Sequence, residues 1–310
     1  MISRRLVRIK TLQALYAWQQ GDEKSTSIQE ERLFERIHES YEFYQFLLDL
    51  PYHFAQYLQS KAQLEQAKFY PDQNKIREYG LFTRMPLVRY LHREVENGHT
   101  NFQWSDLEIN FDNWFNIIQE WQETKEINIF DEPEMELQKS YLKLFFDYFI
   151  DQSEDFNNSL EEVYPQWSDD DPYTHREIIK TIESAKANGS VTLSTEPTLN
   201  AEEVVFAKNL LRKTATSSQA YEQQISEVTS NWDPQRIATI DLLIIKLTLS
   251  EFLHMKEIPV KVTINEYLEI TKNYSTPNSS KFVNGILDKL RMVLDDQGLI
   301  KKEGRGLREK

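Results

Sequence analysis

Apolar residues along this chain recur mostly at spacings of three and four, the period of helices that bury one face. Near the start, Ile9, Leu12 and Tyr16 follow that period and predict a helix over about 3–20, with Gly21 as its stop. Arg4, Arg5 and Arg8 then become neighbours on one surface of that helix. A second helical stretch covers 28–67 and is broken or kinked at Pro51. Residues 70–100 are aromatic and mixed, punctuated by Pro71, Gly80, Pro86 and Gly98. Two further helical patterns, FDNWFNIIQEWQ and MELQKSYLKLFFDYFI, fall between 111 and 150. After an acidic run over 151–172, Asp171 and Pro172 read as the cap and first position of a helix through THREIIKTIESAK. Residues 187–200 are small and polar, a loop or linker. No repeat with a period of roughly 20–50 residues is present.

Beyond 200 the pattern sharpens. EEVVFAKNLLRKTATSSQAYEQQISEV reads as a helix with a polar break near 214–218. Asp233 and Pro234 form a helix start, because the carboxylate accepts from exposed amides and proline has none to lose. Between Ile240 and Phe252 the sequence is apolar nearly all round, which predicts a helix at the centre of a bundle. Ile258 and Pro259 end the connection that follows. Thr263 and Glu266, three apart, read as a capping box that opens the helix EYLEITKNY. Pro277, Asn278, Ser279 and Ser280 supply caps for a last long helix, KFVNGILDKLRMVL, and the basic tail KKEGRGLREK is expected to fray. The expected class is all-α.

Composition agrees. Only 8 Gly and 10 Pro punctuate 310 residues, while 17 Phe, 15 Tyr and 6 Trp supply core. With no cysteine, disulfides, thiolate zinc sites and a cysteine nucleophile are excluded. The N-terminus lacks the apolar run of a signal peptide, and no stretch reaches the roughly 18 apolar residues of a membrane span. A cytoplasmic protein is the expectation. Net charge is −14, yet its distribution is uneven. Residues 1–20 carry four basic and no acidic side chains, 21–200 carry 16 and 35, and 201–310 carry 16 and 15. The two ends together are therefore +5 around an acidic middle, and a polyanion responds to the local patch rather than the total.

Several motifs in order carry a family resemblance. IKLTLSEFL, then IPVKVTINEYLEITKNYS, then SSKFVNGILDKL resemble the C-terminal half of the NusB family. Pro259, Val262, Ile264, Asn265 and Glu266 match its Pro-x-x-Val-x-Ile-Asn-Glu motif, and residues 281–288 match its Lys-Phe-Val-Asn-Gly-Val-Leu-Asp. RRLVRIKTLQALYAWQQ is similar to the family's opening arginine-rich helix, and 206–231 resemble its third helix more weakly. The resemblance covers about 20 residues at the start and about 90 near the end. It implies two packed helical subdomains and no catalysis or cofactor. It also implies binding of boxA-type single-stranded RNA together with NusE, a small-subunit ribosomal protein, in the RNA polymerase antitermination complex of ribosomal RNA operons. The domains expected are an Arg-rich helix of the NusB-like core (1–20), an acidic helical region that is mostly insertion (21–200), a C-terminal NusB-like subdomain (201–296) and a basic tail (297–310).

On this reading Arg4, Arg5 and Arg8 contact phosphate, since guanidinium binds it bidentately and stays charged. The plain alternative is a solvated helix end, although cations there oppose the helix dipole. Gln13 and Tyr16 would read and stack bases; Tyr16 serves equally as a core tyrosine. Asn278, Lys281 and Phe282, at the start of the last helix, complete the expected RNA surface, with Phe282 equally suited to the core. Asp241 stands where the family has an acid near RNA; helix support is the plainer role. Two departures are visible: Leu6 replaces a frequent arginine, and Lys246 replaces an arginine, which would weaken an ion pair with Glu251 or Glu266.

No catalytic constellation emerges. Histidines 38, 53, 92, 99, 175 and 254 are scattered without metalloprotease spacing. The run Asp169, Asp170, Asp171 lacks a calcium loop's glycine and terminal glutamate and reads as a solvated acidic turn. Nucleotide-binding glycine loops are missing. Two other readings remain: a NusB-like domain associated with ribosomal RNA methylation, and a helical adaptor that binds only protein. An extra lobe at 70–200 is expected to contact protein, since its acidity would repel RNA.

Overall fold

In the computed structural model, residues 4–21, 25–96, 101–125, 134–193, 201–229 and 237–303 are described. Their secondary structure is helical, with no strand among them. In chain order the helices are α1 Arg4–Gln20, α2 Thr26–Leu48, α3 Leu50–Gln66, α4 Gln73–Tyr79, α5 Leu81–Arg84 and α6 Pro86–Glu96. Next come α7 Phe111–Lys125, α8 Met135–Phe146, a π-helical turn Asp147–Gln152, α9 Glu154–Val163 and α10 Trp167–Ser184. The remainder are α11 Ala201–Thr216, α12 Ser218–Val228, α13 Thr239–His254, α14 Val260–Tyr274 and α15 Ser279–Asp296. No described helix is long and apolar enough to cross a membrane.

The helices gather into two units. The first comprises His38–Glu196, and the second comprises Ile2–Ile37 with Pro197–Lys310; the partition passes through α2. In the first unit Phe54, Phe82, Trp114, Phe145 and Phe149 are buried and in ring contact, edge-on or tilted. Such rings carry much apolar area each, which explains how a strongly acidic stretch sustains a core. In the second unit α13 is central and touches α1, α11, α12, α14 and α15. Ile244, Ile245, Leu247 and Leu249 are wholly buried in it, as a helix apolar all round requires.

Breaks fall at Asp49, where Pro51 sits in the first turn of α3, and at Ser217 between α11 and α12. Three local expectations are corrected. The helix expected from Pro172 instead begins at Trp167, with Pro172 inside it. Its first turn is drawn inward because Asp170, fully buried, accepts from Ser40 Oγ at 2.6 Å and from the Tyr164 hydroxyl at 2.5 Å. The run 169–171 is therefore not a solvated turn as a whole. The capping box at Thr263 and Glu266 does not form: α14 already begins at Val260 behind Pro259, Thr263 donates to Glu251, and Glu266 pairs with Arg5. Asp233 and Pro234 lie outside the described residues, and α13 is seen from Thr239.

Candidate nucleic-acid interface

The three N-terminal arginines occupy different environments. Arg8 is 2% exposed and donates through Nε and Nη2 to both carboxylate oxygens of Glu251, at 2.8 and 2.7 Å. Its guanidinium lies over the rings of Phe206, at 5.5 Å, and Tyr267, at 5.7 Å. Glu251 is wholly buried and also accepts from Thr263 Oγ1 at 2.8 Å. Burial works to lower the pKa of Arg8, but the bonds and charge of Glu251 outweigh it and hold the cation more firmly. Arg8 is thus corrected from a phosphate ligand to an internal cation that joins α1 to α13.

Arg5 forms the outer layer. It donates bidentately to Glu266 of α14, both bonds at 2.8 Å, and its side chain is 48% exposed. The hydrogen bond to Arg5 holds the Glu266 carboxyl below the usual glutamate range. Arg8 Nη1 approaches the same carboxylate at 3.6 Å, so the two layers are electrically joined. Arg4, partly exposed, rests its guanidinium over Phe206 at 5.5 Å. Leu6 is buried in the core.

Farther along α1, Tyr16 is 41% exposed. It stands eleven residues beyond Arg5, which is ~16 Å along the axis and only ~20° around it. Arg5 and Tyr16 therefore share the solvent face, while Gln13 is half-buried beside it. At the head of α15, Asn278 and Lys281 are exposed, three apart, and Phe282 is half-buried. Asn278 takes the N-cap position without a side-chain capping bond. Both α1 and α15 pack on α13. Asp241 is placed differently from the expectation: it is 4% exposed on the first turn of α13, where a carboxylate complements the helix dipole. Buried there, it does not present an acceptor to a base.

Two features escaped the sequence reading. Lys246, expected opposite Glu251 or Glu266, bonds instead to Glu222 Oε1 at 2.5 Å and Ser218 Oγ at 2.8 Å on α12. A wholly buried acid demands a buried partner, and with Lys246 turned to α12 that partner for Glu251 is Arg8. The start of the basic tail is docked rather than frayed up to Glu303. Lys302 Nζ donates to the carbonyls of Glu251 and Met255, both at 2.8 Å, and Glu303 N donates to the Lys256 carbonyl at 2.9 Å. These bonds satisfy the open C-terminal end of α13. Burial lowers the Lys302 pKa to about 8.

Residues 173–291 match the model of the NusB family. Transcription antitermination protein NusB of Salinibacter ruber is 41% identical over 102 residues, 33% of this chain and 64% of that protein. Its counterpart from Chloroherpeton thalassium is 34% identical over 131 residues, 42% of this chain and 61% of that protein. The NusB of Citrifermentans bemidjiense is 36% identical over 104 residues, 33% of this chain and 72% of that protein. This chain therefore spans less than two thirds of the first two relatives and more than two thirds of the third. A solved structure, T. maritima NusB, is 25% identical, with 50% of this chain and 90% of that chain covered and a TM-score of 0.28, too loose a superposition to bear on the fold.

Proposed function

Since this chain belongs to the NusB family, we propose that it is a cytoplasmic transcription antitermination factor that binds boxA-type single-stranded RNA together with NusE. It acts by binding rather than catalysis, needs no cofactor, and joins the RNA polymerase antitermination complex. The supporting observation is the division of labour on α1. Arg8 is consumed by Glu251, while Arg5 and Arg4 remain toward solvent on the face that continues to Tyr16. An exposed ion pair such as Arg5 with Glu266 is worth about 0–1 kcal/mol, so a phosphate can compete for that guanidinium. Tyr16 offers a ring for stacking, Gln13 a polar edge, and Asn278, Lys281 and Phe282 a second contact at the head of α15.

Fluorescence anisotropy with a boxA RNA and a scrambled control, with and without NusE and across a salt series, tests this reading. The expected result is preference for boxA, tightened by NusE, with affinity falling steeply as salt rises. Equal affinity for both RNAs, unchanged by Arg4→Ala and Arg5→Ala, would leave the protein-binding adaptor as the better description.

A further inference from the structure

Among the described residues, the exposed large apolar side chains of the first unit are Leu64, Phe69 and Tyr70. All three sit at one corner, where α3 turns into α4. Phe69 is 88% exposed and Tyr70 85%. Their rings meet edge-on, with centroids 4.7 Å apart and planes at 88°, so each keeps a face toward solvent. Apolar side chains exposed singly are ordinary, but a cluster with two rings in contact marks an interaction site.

The corner is held from within. Ala67 N donates to the Gln63 carbonyl at 3.0 Å and Lys68 N to the Glu65 carbonyl at 3.2 Å, which closes α3. Pro71 follows Tyr70, and Asp72 then caps α4 by accepting from Asn74 N at 2.9 Å and Lys75 N at 3.3 Å. Asp72 N donates to Glu65 Oε1 at 3.2 Å and ties the start of α4 back to α3. A turn bonded in this way presents the rings already ordered, which lowers the entropic cost of any contact they make.

Charge decides which contact. Residues 61–93 carry seven basic and three acidic side chains, whereas the other residues of 21–200 carry nine and 32. At the corner both acids are engaged inward. Glu65 is buried and accepts from Lys68 Nζ at 2.5 Å as well as from Asp72 N, and Asp72 is used for the cap. Lys68 and Lys75 are both exposed and both act on the Glu65 carboxylate, so they stand at the corner with the rings. At physiological salt the Debye length of about 8 Å screens acids farther off, and the local cations set the sign that a partner meets.

Rings beside lysines suit a single strand of RNA: bases stack on aromatic faces whatever their identity, and ammonium groups meet phosphates. A purely apolar protein contact would use Leu64 and the rings, but it leaves the basic island within an acidic stretch without a part. We propose that the α3–α4 corner is a separate, sequence-tolerant contact for single-stranded RNA. Phe69 and Tyr70 stack on bases, Lys68 and Lys75 meet phosphates, and boxA recognition by α1 is not required.

The test uses the full chain carrying Arg4→Ala and Arg5→Ala, so that the α1 face contributes little. The probe is a labelled oligouridine of roughly 12 nucleotides, within the span such surfaces cover. Anisotropy should show salt-dependent binding that weakens about tenfold on Phe69→Ala and about tenfold again on Tyr70→Ala. Phe69→Leu, which keeps apolar area without a ring, should lose as much as Phe69→Ala, whereas Phe69→Trp should retain binding. Lys75→Gln should lower the logarithmic salt slope by about 0.7, the share of one phosphate on a single strand. Met292→Ser, which removes an exposed apolar side chain of the second unit, should change nothing. Both rings are already in solvent, so these variants should keep the Tm of the parent, and lost affinity is then not lost fold. No oligouridine binding in this background, binding unchanged without both rings, or binding retained by Phe69→Leu would overturn the proposal and leave the corner to a protein partner. None of these results touches boxA binding, which is measured on the wild-type chain against its own scrambled control.

Discussion

Arg8 and Glu251 meet through two parallel hydrogen bonds of 2.8 and 2.7 Å, with the arginine 2% exposed and the glutamate wholly buried. The pair ties the first helix of the chain to a helix more than two hundred residues later. Sequestering Arg8 also separates two roles that adjacent arginines in sequence would otherwise share. Arg8 secures the scaffold, and Arg4 and Arg5 remain for the surface.

Removing one partner of such a pair leaves a buried charge alone. Arg8→Ala should therefore cost about 3–5 kcal/mol in urea unfolding. Replacing both partners with apolar groups, as Arg8→Met with Glu251→Leu, should recover most of that loss, since no unpaired charge remains. Arg5→Ala should cost less than about 1 kcal/mol. Equal losses for Arg5→Ala and Arg8→Ala would contradict the two-layer arrangement.

Glu266 titrates below the ordinary glutamate range because Arg5 donates to it. A group with a depressed folded pKa binds fewer protons than its unfolded counterpart, so its stabilisation is complete above the unfolded value. That stabilisation drains away as pH falls through the ordinary glutamate range to the lowered folded value. Glu266→Gln should flatten this part of the acid limb in a Tm-against-pH curve, while leaving neutral-pH stability little changed.

Lys302 carries the opposite kind of burden. Its folded pKa of about 8, against an unfolded 10.5, arises from burial of the ammonium. The cost of burying that charge is present in full below pH 8 and disappears as pH rises toward the unfolded value. Side-chain NMR should show one lysine titrating near 8, abolished in Lys302→Met. The same variant should fall further behind the wild type at pH 10 than at pH 7, because only the wild type is relieved of the buried-charge cost as pH rises.

RNA binding gives a graded prediction. Arg4→Ala and Arg5→Ala should each lower the logarithmic salt slope by about 1 and weaken all sequences similarly, as lost phosphate contacts do. Tyr16→Ala should weaken binding by about 1–3 kcal/mol if the ring stacks on a base. Its effect on thermal stability should be small, because the ring is already 41% exposed. A large fall in Tm with unchanged affinity would assign Tyr16 to the core.

Much of this molecule is legible from residue order alone. Helical class, the breaks near Pro51 and Ser217, and the centrality of α13 follow from spacing, because helices select their own buried faces locally. The family resemblance is also a property of order: motifs at the start and end of the chain recur in sequence. Tertiary structure decided what each charge is for. Arg5 and Arg8 differ only by three positions, yet one opens to solvent and the other is sealed against Glu251. Thr263 and Glu266 have the spacing of a cap, but the Glu251 carboxylate of the preceding helix and the Arg5 guanidinium of the first helix claim them first. Asp147, Asp151 and His175 share no motif and meet only where α10 packs on the turn after α8. Local periodicity sets which face turns inward; the partner of a charge depends on which other segment arrives there, and that is a property of packing.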